Sequence, residues 1–417
     1  MRLLKLTDAA AAKLLADRRG GDAAADGVAS RIVADVRKRG DVALFAWSRK
    51  LDGARLTPKN LWIPRRDIES AARGVPPALR HALAHAARNI RKVAERQLPR
   101  PWSLSVEPGV RVSQRVTPLE TIGCYIPGGR FSLVSSLLMS AVPAQVAGVK
   151  RIVVVCPRPN AALLAAARLL GVYEVARIGG AQAIAALAYG TRSVPRVDKI
   201  FGPGNRYVTA AKRLIGADCA VDMLAGPTEV LIVAERGNAR FIASDLVAQA
   251  EHDPDAVALF VTTSRKLAGE VRDSVSEQLN ALPPDNPARR SLSENGAVLL
   301  AASAAAAVRF ANAFAPEHLS VPDASPALLR QLSAAGSVFV GPWAAQSVGD
   351  YASGTNHVLP TAGGARARGG LSAWDFVRCT SVQQLTRAGL QSLAPVVSAM
   401  AQAEGLIAHR RAVEVRR

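Results

Sequence analysis

The sequence predicts an α/β protein built on two successive parallel sheets, each wrapped by helices. Between residues 122 and 201 short apolar runs alternate with helical segments: Ile122 to Ile126, Ile152 to Cys156, Glu174 to Ile178 and Lys199 to Phe201, each ending near Gly or Pro. The same grammar resumes after Cys219-Ala220-Val221-Asp222-Met223, with Glu229 to Ala234, Ala256 to Thr262, Ala297 to Ala301 and Ser337 to Gly341. At 417 residues the chain has room for two cores, which favours two blocks over one very large sheet.

Ahead of the first block the chain reads as helical. Val28, Ile32, Val33 and Val36 share one face of a helix that stops at Gly40. Another helix begins at Pro76-Pro77 and runs through Leu79, Leu83, Ile90 and Val93 towards Pro99. Apolar and polar residues then alternate from Val106 to Val116 around Gly109, as in a hairpin. Leu282-Pro283-Pro284-Asp285-Asn286-Pro287 is a loop inside the second block, and Thr361-Ala362-Gly363-Gly364-Ala365 is its exit. A helical tail follows through Leu390 to Leu406 and closes on a strand-like Ala412-Val413-Glu414-Val415.

A net charge of +20 raises the question of a nucleic-acid partner. The basic residues argue against one, because short knots such as Arg37-Lys38-Arg39, Arg65-Arg66 and Arg410-Arg411 are scattered, with few aromatics to stack on bases. Attraction of small anions, a dinucleotide among them, is the milder consequence. The four cysteines, Cys124, Cys156, Cys219 and Cys379, form no C-x-x-C pair, so reduced thiols and a cytoplasmic setting are expected. Asp8 interrupts the N-terminus too early for a signal peptide, and no apolar run reaches the about 18 residues a membrane span requires.

Three glycine turns follow predicted strands and precede predicted helices: Tyr125-Ile126-Pro127-Gly128-Gly129, Ile178-Gly179-Gly180-Ala181-Gln182 and Phe201-Gly202-Pro203-Gly204-Asn205. Such turns aim backbone N–H groups at phosphate, yet any tight strand-to-helix connection also demands glycine. Gln249 and His252 fall three apart on a predicted helix and share a face. Ala315-Pro316-Glu317-His318 sets a carboxylate beside an imidazole on an irregular segment, where one takes a substrate proton and the other activates water. Gly349-Asp350-Tyr351-Ala352-Ser353-Gly354-Thr355-Asn356-His357 is a polar loop offering Asp350 as a hard ligand and His357 as a ligand or its support. Gln249, His252, Asp350 and a further histidine make an N/O set suited to zinc or manganese. His81 and His85 share a helix face, but no acid or cysteine completes a site, and a surface pair is expected.

Several of these stretches occur together and in order. Leu224-Ala225-Gly226-Pro227-Thr228-Glu229, Gln249-Ala250-Glu251-His252, Pro316-Glu317-His318-Leu319, Gly349 through Pro360 and Gly202-Pro203-Gly204-Asn205 resemble histidinol dehydrogenase, from Gly40-Asp41-Val42-Ala43-Leu44 to a final helix with Glu404 and His409. The resemblance implies two incomplete, doubly wound Rossmann-like domains. Their expected bounds are 25–120 with 230–365 for metal and catalysis, and 121–229 for NAD, between an N-terminal helical segment 1–24 and a dimerisation tail 366–417. It implies a zinc- and NAD-dependent oxidation of L-histidinol through L-histidinal to L-histidine, with one Zn2+ per subunit. By motif, the zinc ligands are Gln249, His252, Asp350 and His409, while His318 and Glu317 are the bases for the alcohol proton and for water. Thr228, Gln249, His252, His318, Asp350, Glu404 and His409 would hold the substrate, and Tyr125, Gln182 and Asn205 the NAD. A homodimer is implied, with Glu404 and His409 acting across it.

Two features depart from the family or invite another reading. Thr228 stands where the family usually has Ser, which keeps the hydroxyl and adds a methyl. Cys124 beside Tyr125 suggests a nucleophile, but no charged sequence neighbour lowers its pKa, so a small buried residue is expected. The rival readings are a same-scaffold dehydrogenase for another alcohol, such as a sulfonated diol, and a basic α/β binding protein without catalysis. Retention of Glu404 and His409 argues against the first, because groups built for an imidazole-bearing substrate would otherwise stand unpaired.

Overall fold

The computed structural model describes residues 1–18, 22–128 and 133–416. The chain opens with β1 (Arg2–Lys5) and α1 (Asp8–Asp17), then α2 (Ala23–Arg39), α3 (Asp41–Asp52), α4 (Arg65–Gly74) and α5 (Pro77–Gln97). Strands β2 (Trp102–Glu107) and β3 (Val110–Pro118) form the expected hairpin, turning at Gly109 with φ of 79°. One parallel block follows: β4 (Thr121–Tyr125), α6 (Val134–Ala147), β5 (Arg151–Val155), α7 (Ala161–Leu169), β6 (Val175–Ala176), α8 (Gly180–Tyr189), β7 (Lys199–Phe201), α9 (Arg206–Ile215) and β8 (Ala220–Val221). The other runs through β9 (Glu229–Val233), α10 (Ala239–Ala250), β10 (Val257–Thr262), α11 (Arg265–Asn280), α12 (Ala288–Glu294), β11 (Ala297–Leu300), α13 (Ala304–Phe314), β12 (His318–Val321), α14 (Pro326–Gln331), β13 (Ser337–Val340) and α15 (Gln346–Tyr351). The tail holds β14 (Val377–Leu385), α16 (Arg387–Ala403) and α17 (Ile407–Glu414).

The strands assemble as β6-β5-β4-β7-β8 and β1-β11-β10-β9-β12-β13, all pairs parallel. In each sheet the chain steps outward on one side and then restarts on the other, between β4 and β7 and between β9 and β12. These are the topological switch points of a doubly wound sheet. Burial follows the period of two: Val230 and Ile232 enter one core, Leu231 and Val233 the core on the opposite face. Among the described residues no helix is long and apolar enough to cross a membrane.

The packing differs from the expected bounds in three places. Segment 1–24 is not purely helical, because β1 pairs in parallel with β11 at the edge of the six-stranded sheet. Four residues are too few to leave a periodicity. Residues 25–97 pack chiefly on the β4–β8 sheet, although Asn89 also reaches the Ala352 carbonyl. Ile32, Val33 and Val36 share a core with Val153 and Val155, while Leu83 and Ile90 join Ile122 and Val154 on the other face. A parallel sheet must be covered on both faces, and these helices complete the cover. The tail is stitched in as well, since β14 pairs antiparallel with β3 along its whole length. Residues 412–415, expected to be strand-like, lie in α17 and just past its end, where Arg410 and Glu414 pair one turn apart at 2.6 Å.

At the β4/β7 switch point Gly202 takes φ of 109°, and an added Cβ there would strike the Tyr125 carbonyl. Its N–H donates to Asp222 Oδ2 at 2.7 Å and its carbonyl accepts from the buried Lys212 Nζ at 2.7 Å. Gly202→Ala is therefore expected to cost about 2 kcal/mol or more in urea unfolding, combining a left-handed backbone with the clash. An unchanged midpoint would show that this turn yields freely.

Candidate active site

Thr228 and Glu229 stand at the amino end of β9, and Glu317 and His318 at the amino end of the neighbouring β12, where His318 is in register with Val230. Parallel pairing thus delivers four residues from two distant stretches to one sheet edge. Glu317 Oε2 accepts from the Thr228 hydroxyl at 2.5 Å and from the Glu229 N–H at 2.8 Å. Because an ionised carboxylate only accepts, the hydroxyl proton is committed to it, and the hydroxyl oxygen must accept elsewhere. It accepts from Gln249 Nε2, which comes in from the last turn of α10. The Gln249 amide is thereby oriented, and its Oε1 is buried without a hydrogen-bond partner.

His318 Nδ1 lies 3.1 Å from the Glu229 carbonyl, an acceptor, so this nitrogen carries the proton. Nε2 is buried, has no hydrogen-bond partner, and looks at Asp350 Oδ1 across 3.6 Å. Phe339 stacks on the ring at 5.9 Å, and Gly349 has no side chain where a Cβ would meet that phenyl group. Burial, the largest influence on the ring, disfavours its charge, but Glu317 and Asp350 outweigh it and push the pKa up to about 10. Burial also works against the Asp350 anion, yet His318, His357 and His252 together hold its pKa below the ordinary carboxylate value.

Behind this cluster is a buried ion pair that sequence reasoning missed. Arg18 grips both oxygens of Glu229, donates to the Phe314 carbonyl and lies over the Phe314 ring at 3.5 Å. Burial chiefly raises the Glu229 pKa and Arg18 opposes it. Since the partners are 211 residues apart, no local pattern announces them.

Several expected site residues sit on different elements from those anticipated. His252 lies in the turn beyond the C-cap Glu251, not on the helical face of Gln249, because α10 ends at Ala250. Asp350 belongs to a short helix rather than a loop, and His318 starts a strand rather than lying on an irregular segment. His357 has both nitrogens engaged, Nδ1 with the Asp350 carbonyl at 3.0 Å and Nε2 with Ser136 Oγ on α6 at 3.3 Å, so it steadies the loop. Glu404 caps the exposed end of α16 and His409 is exposed on α17. Among the described residues of one chain, no group of three or more His, Cys, Asp or Glu is gathered as a metal site. The orphaned Gln249 Oε1 nevertheless suits a cation that takes both N and O donors.

The three glycine turns all lie at carboxyl ends of strands in the other sheet. Tyr125 is buried beneath the second turn, its hydroxyl accepting from the Gly180 N–H at 3.1 Å. Gln182, fully buried, donates to Asp52 at 3.0 Å and leaves Oε1 unpartnered. Asn205 caps α9 through the N–H groups of Tyr207 and Val208, both at 3.1 Å, beside the switch point. This cradle suits a dinucleotide. Gly129 lies outside the described residues. Cys124 is wholly buried on β4, and burial pushes its thiol pKa far up, as expected of a packing residue.

Residues 17–417 match the family profile described as histidinol dehydrogenase. A histidinol dehydrogenase of Vibrio parahaemolyticus serotype O3:K6 is 45% identical over 391 residues, covering 92% of this chain and 90% of its own. That of Halalkalibacterium halodurans is 43% identical over 423 residues, covering 100% of this chain and 99% of its own. The crystal structure of histidinol dehydrogenase from Elizabethkingia anophelis superposes with a TM-score of 0.93 at 36% identity, over 100% of this chain and 97% of that one.

The hydroxyl relay makes a prediction about residue 228. Thr228→Ser keeps the donor and acceptor and should retain turnover within about threefold, whereas Thr228→Val strands the Gln249 amide and should lose 10-fold or more, on the order of 1–3 kcal/mol per unmet buried group. Steady-state kinetics of the two variants decide it; equal turnover would remove the relay from the site.

Proposed function

The chain belongs to the histidinol dehydrogenase family, oxidoreductases of histidine biosynthesis, and from this premise we propose that it takes L-histidinol through L-histidinal to L-histidine. The observation that carries the proposal is the pair of proton acceptors at one sheet edge, Glu317 and His318, each fixed by a different partner. Gln249, His252 and Asp350 of one subunit, with His409 of the partner subunit, would hold one zinc ion. Tyr125, Gln182 and Asn205 line the NAD site. When bound, the zinc supplies a Lewis-acidic anchor for the amino alcohol and offsets the Asp350 charge, and NAD supplies the hydride acceptor.

The protein groups divide the work by geometry. Against burial, Glu317 and Asp350 favour the imidazolium form of His318, and a zinc ion on Asp350 would relieve part of that pull. The neutral ring, its Nδ1–H tied to the Glu229 carbonyl, then presents the Nε2 lone pair, which takes the proton of the alcohol as the carbon gives up hydride. Water then adds to the aldehyde carbon while Glu317 takes its proton. Oε2 of that carboxylate already holds two hydrogen bonds, and among the described residues none occupies Oε1. The second hydride leaves from the hydrated aldehyde, giving the acid. Each oxidation releases one hydride and one proton, so the two acceptors and two hydride transfers close the balance. Burial of Glu317 and His318 keeps the reactive aldehyde from bulk water between steps. Thr228, Glu404 and His409 complete the contacts to substrate. Cys124, Cys156 and Cys219 are buried and Cys379 is exposed, with no disulfide among the described residues, which fits a cytoplasmic enzyme.

The direct test is NADH absorbance with histidinol. Turnover should vanish on chelation and return with zinc; activity only with another alcohol selects the rival dehydrogenase, and silence with every alcohol selects the binding protein.

Sharing of the metal shell across the dimer is tested by mixing inactive chains. His409→Ala and Gln249→Ala homodimers should each be nearly inactive, while their mixed dimer contains one intact site and should recover about a quarter of native activity in a random mixture, if sites act independently. No recovery between two inactive chains would place His409 in its own subunit's site, and an active His409→Ala homodimer would place it outside the site.

A further inference from the structure

Helix α10 and the segment leading into α15 run side by side, and their contacts repeat at helical intervals. At the first level the rings of Phe241 and Trp343 meet at 5.8 Å. One turn along, Gln346 Nε2 donates to the Asp245 carbonyl at 3.0 Å, and the Asp245 carboxylate faces the Gln346 main-chain N–H. One turn further along each helix stand Gln249 and Asp350, both buried. Residues 241, 245 and 249 share one stripe of α10, as 346 and 350 share one of α15.

The middle level is unusual in composition. Ala345, the N-cap of α15, has no side chain able to cap it. The Asp245 carboxylate approaches that end from the neighbouring helix, where a negative charge is favoured by the exposed N–H dipoles. Gln346 is itself buried and leaves Oε1 without a partner. Burial pushes the Asp245 carboxyl up to about 6, a cost that a residue serving only solubility would not carry. The far end of α15 is tied to other helices, by Asn89 Nδ2 to the Ala352 carbonyl at 2.8 Å and by His357 to Ser136. Asp245 and Gln346 therefore set the end of α15 nearest α10.

We infer that Asp245 is a positioning residue for Gln249 and Asp350, acting through the first turn of α15 to fix the spacing of the two ligands. The inference rests on the proposed metal site, and it adds a residue that touches neither metal nor substrate.

The test uses the full-length dimer, stripped of metal by chelator. Asp245→Ala should lower zinc affinity about 10-fold or more, as loss of a ligand's support does elsewhere. Asp245→Asn keeps an oxygen for the Gln346 N–H and should restore affinity to within about threefold of native. A second readout needs no metal: amide exchange across residues 346–351 should quicken in Asp245→Ala while that of α5 stays unchanged. Gln346→Ala removes the reciprocal bond and gives the same comparison should Asp245→Ala not fold. Native zinc affinity with native α15 exchange in Asp245→Ala, or in Gln346→Ala if that is the chain that folds, overturns the inference. Absence of zinc uptake by the unaltered dimer overturns the metal reading instead, and the exchange comparison still decides the clasp.

Discussion

The site depends on a single hydroxyl proton. Thr228 gives it to Glu317, and the Gln249 amide takes its orientation from that gift, while His318 is set separately by the Glu229 carbonyl. The hydroxyl oxygen then accepts from Gln249 Nε2, which turns the amide so that Oε1 is the atom left over. A carboxylate fixed at one oxygen and an amide fixed at its nitrogen are both presented with an unused acceptor. Buried acceptors without partners are costly, and a chain tolerates them where a ligand completes them. The methyl that distinguishes Thr228 from Ser does not disturb this bonding, since both partners reach the hydroxyl.

The two sheets use opposite edges. The glycine turns follow the usual rule for open α/β sheets, lying beyond the carboxyl ends of β4 and β7 at the switch point. The proton acceptors break it, standing at the amino end of β12 beside the amino end of β9. Contacts of α6 account for the difference. That helix begins beyond β4, and its first half receives His357 on Ser136 and Asn356 on the Met139 carbonyl at 2.7 Å. The loop after Asp350 therefore docks beside the carboxyl edge of the other sheet. A reaction that moves hydride between an alcohol carbon and a dinucleotide requires the two within contact, so the acceptors must be on whichever edge meets the cofactor.

How far the sequence could be read follows from the range of each interaction. Strands, glycine turns and the α5 start carried local signals, and the polar stretches around residues 228, 249, 317 and 350 were visible as chemistry before any fold. Elements too short to show a period were missed or misnamed: β1, β12 and α15 span 4, 4 and 6 residues. In α17 the spaced valines suggested alternation, whereas Arg410 and Glu414 pair along a helix. Placement of residues 25–97 was invisible because it depends on which sheet face is left bare. Arg18 was invisible for a similar reason, as its partner Glu229 is named only by the folded chain.

On the proposed reading, the tail has an energetic consequence that a single chain makes plain. Gln249 Oε1 and His318 Nε2 are buried and unpaired, while His409 is exposed on α17. Association that carries the partner subunit's His409 to the metal lets each subunit supply what the other lacks. Anything that binds only the assembled state stabilises it by mass action, so metal and dimerisation must favour one another by equal factors. The same coupling explains why the tail is anchored by a full strand, β14 on β3, rather than by a flexible link. A ligand delivered across an interface keeps its geometry only if the segment that carries it is ordered beforehand, since ordering at the moment of binding would be subtracted from the metal affinity.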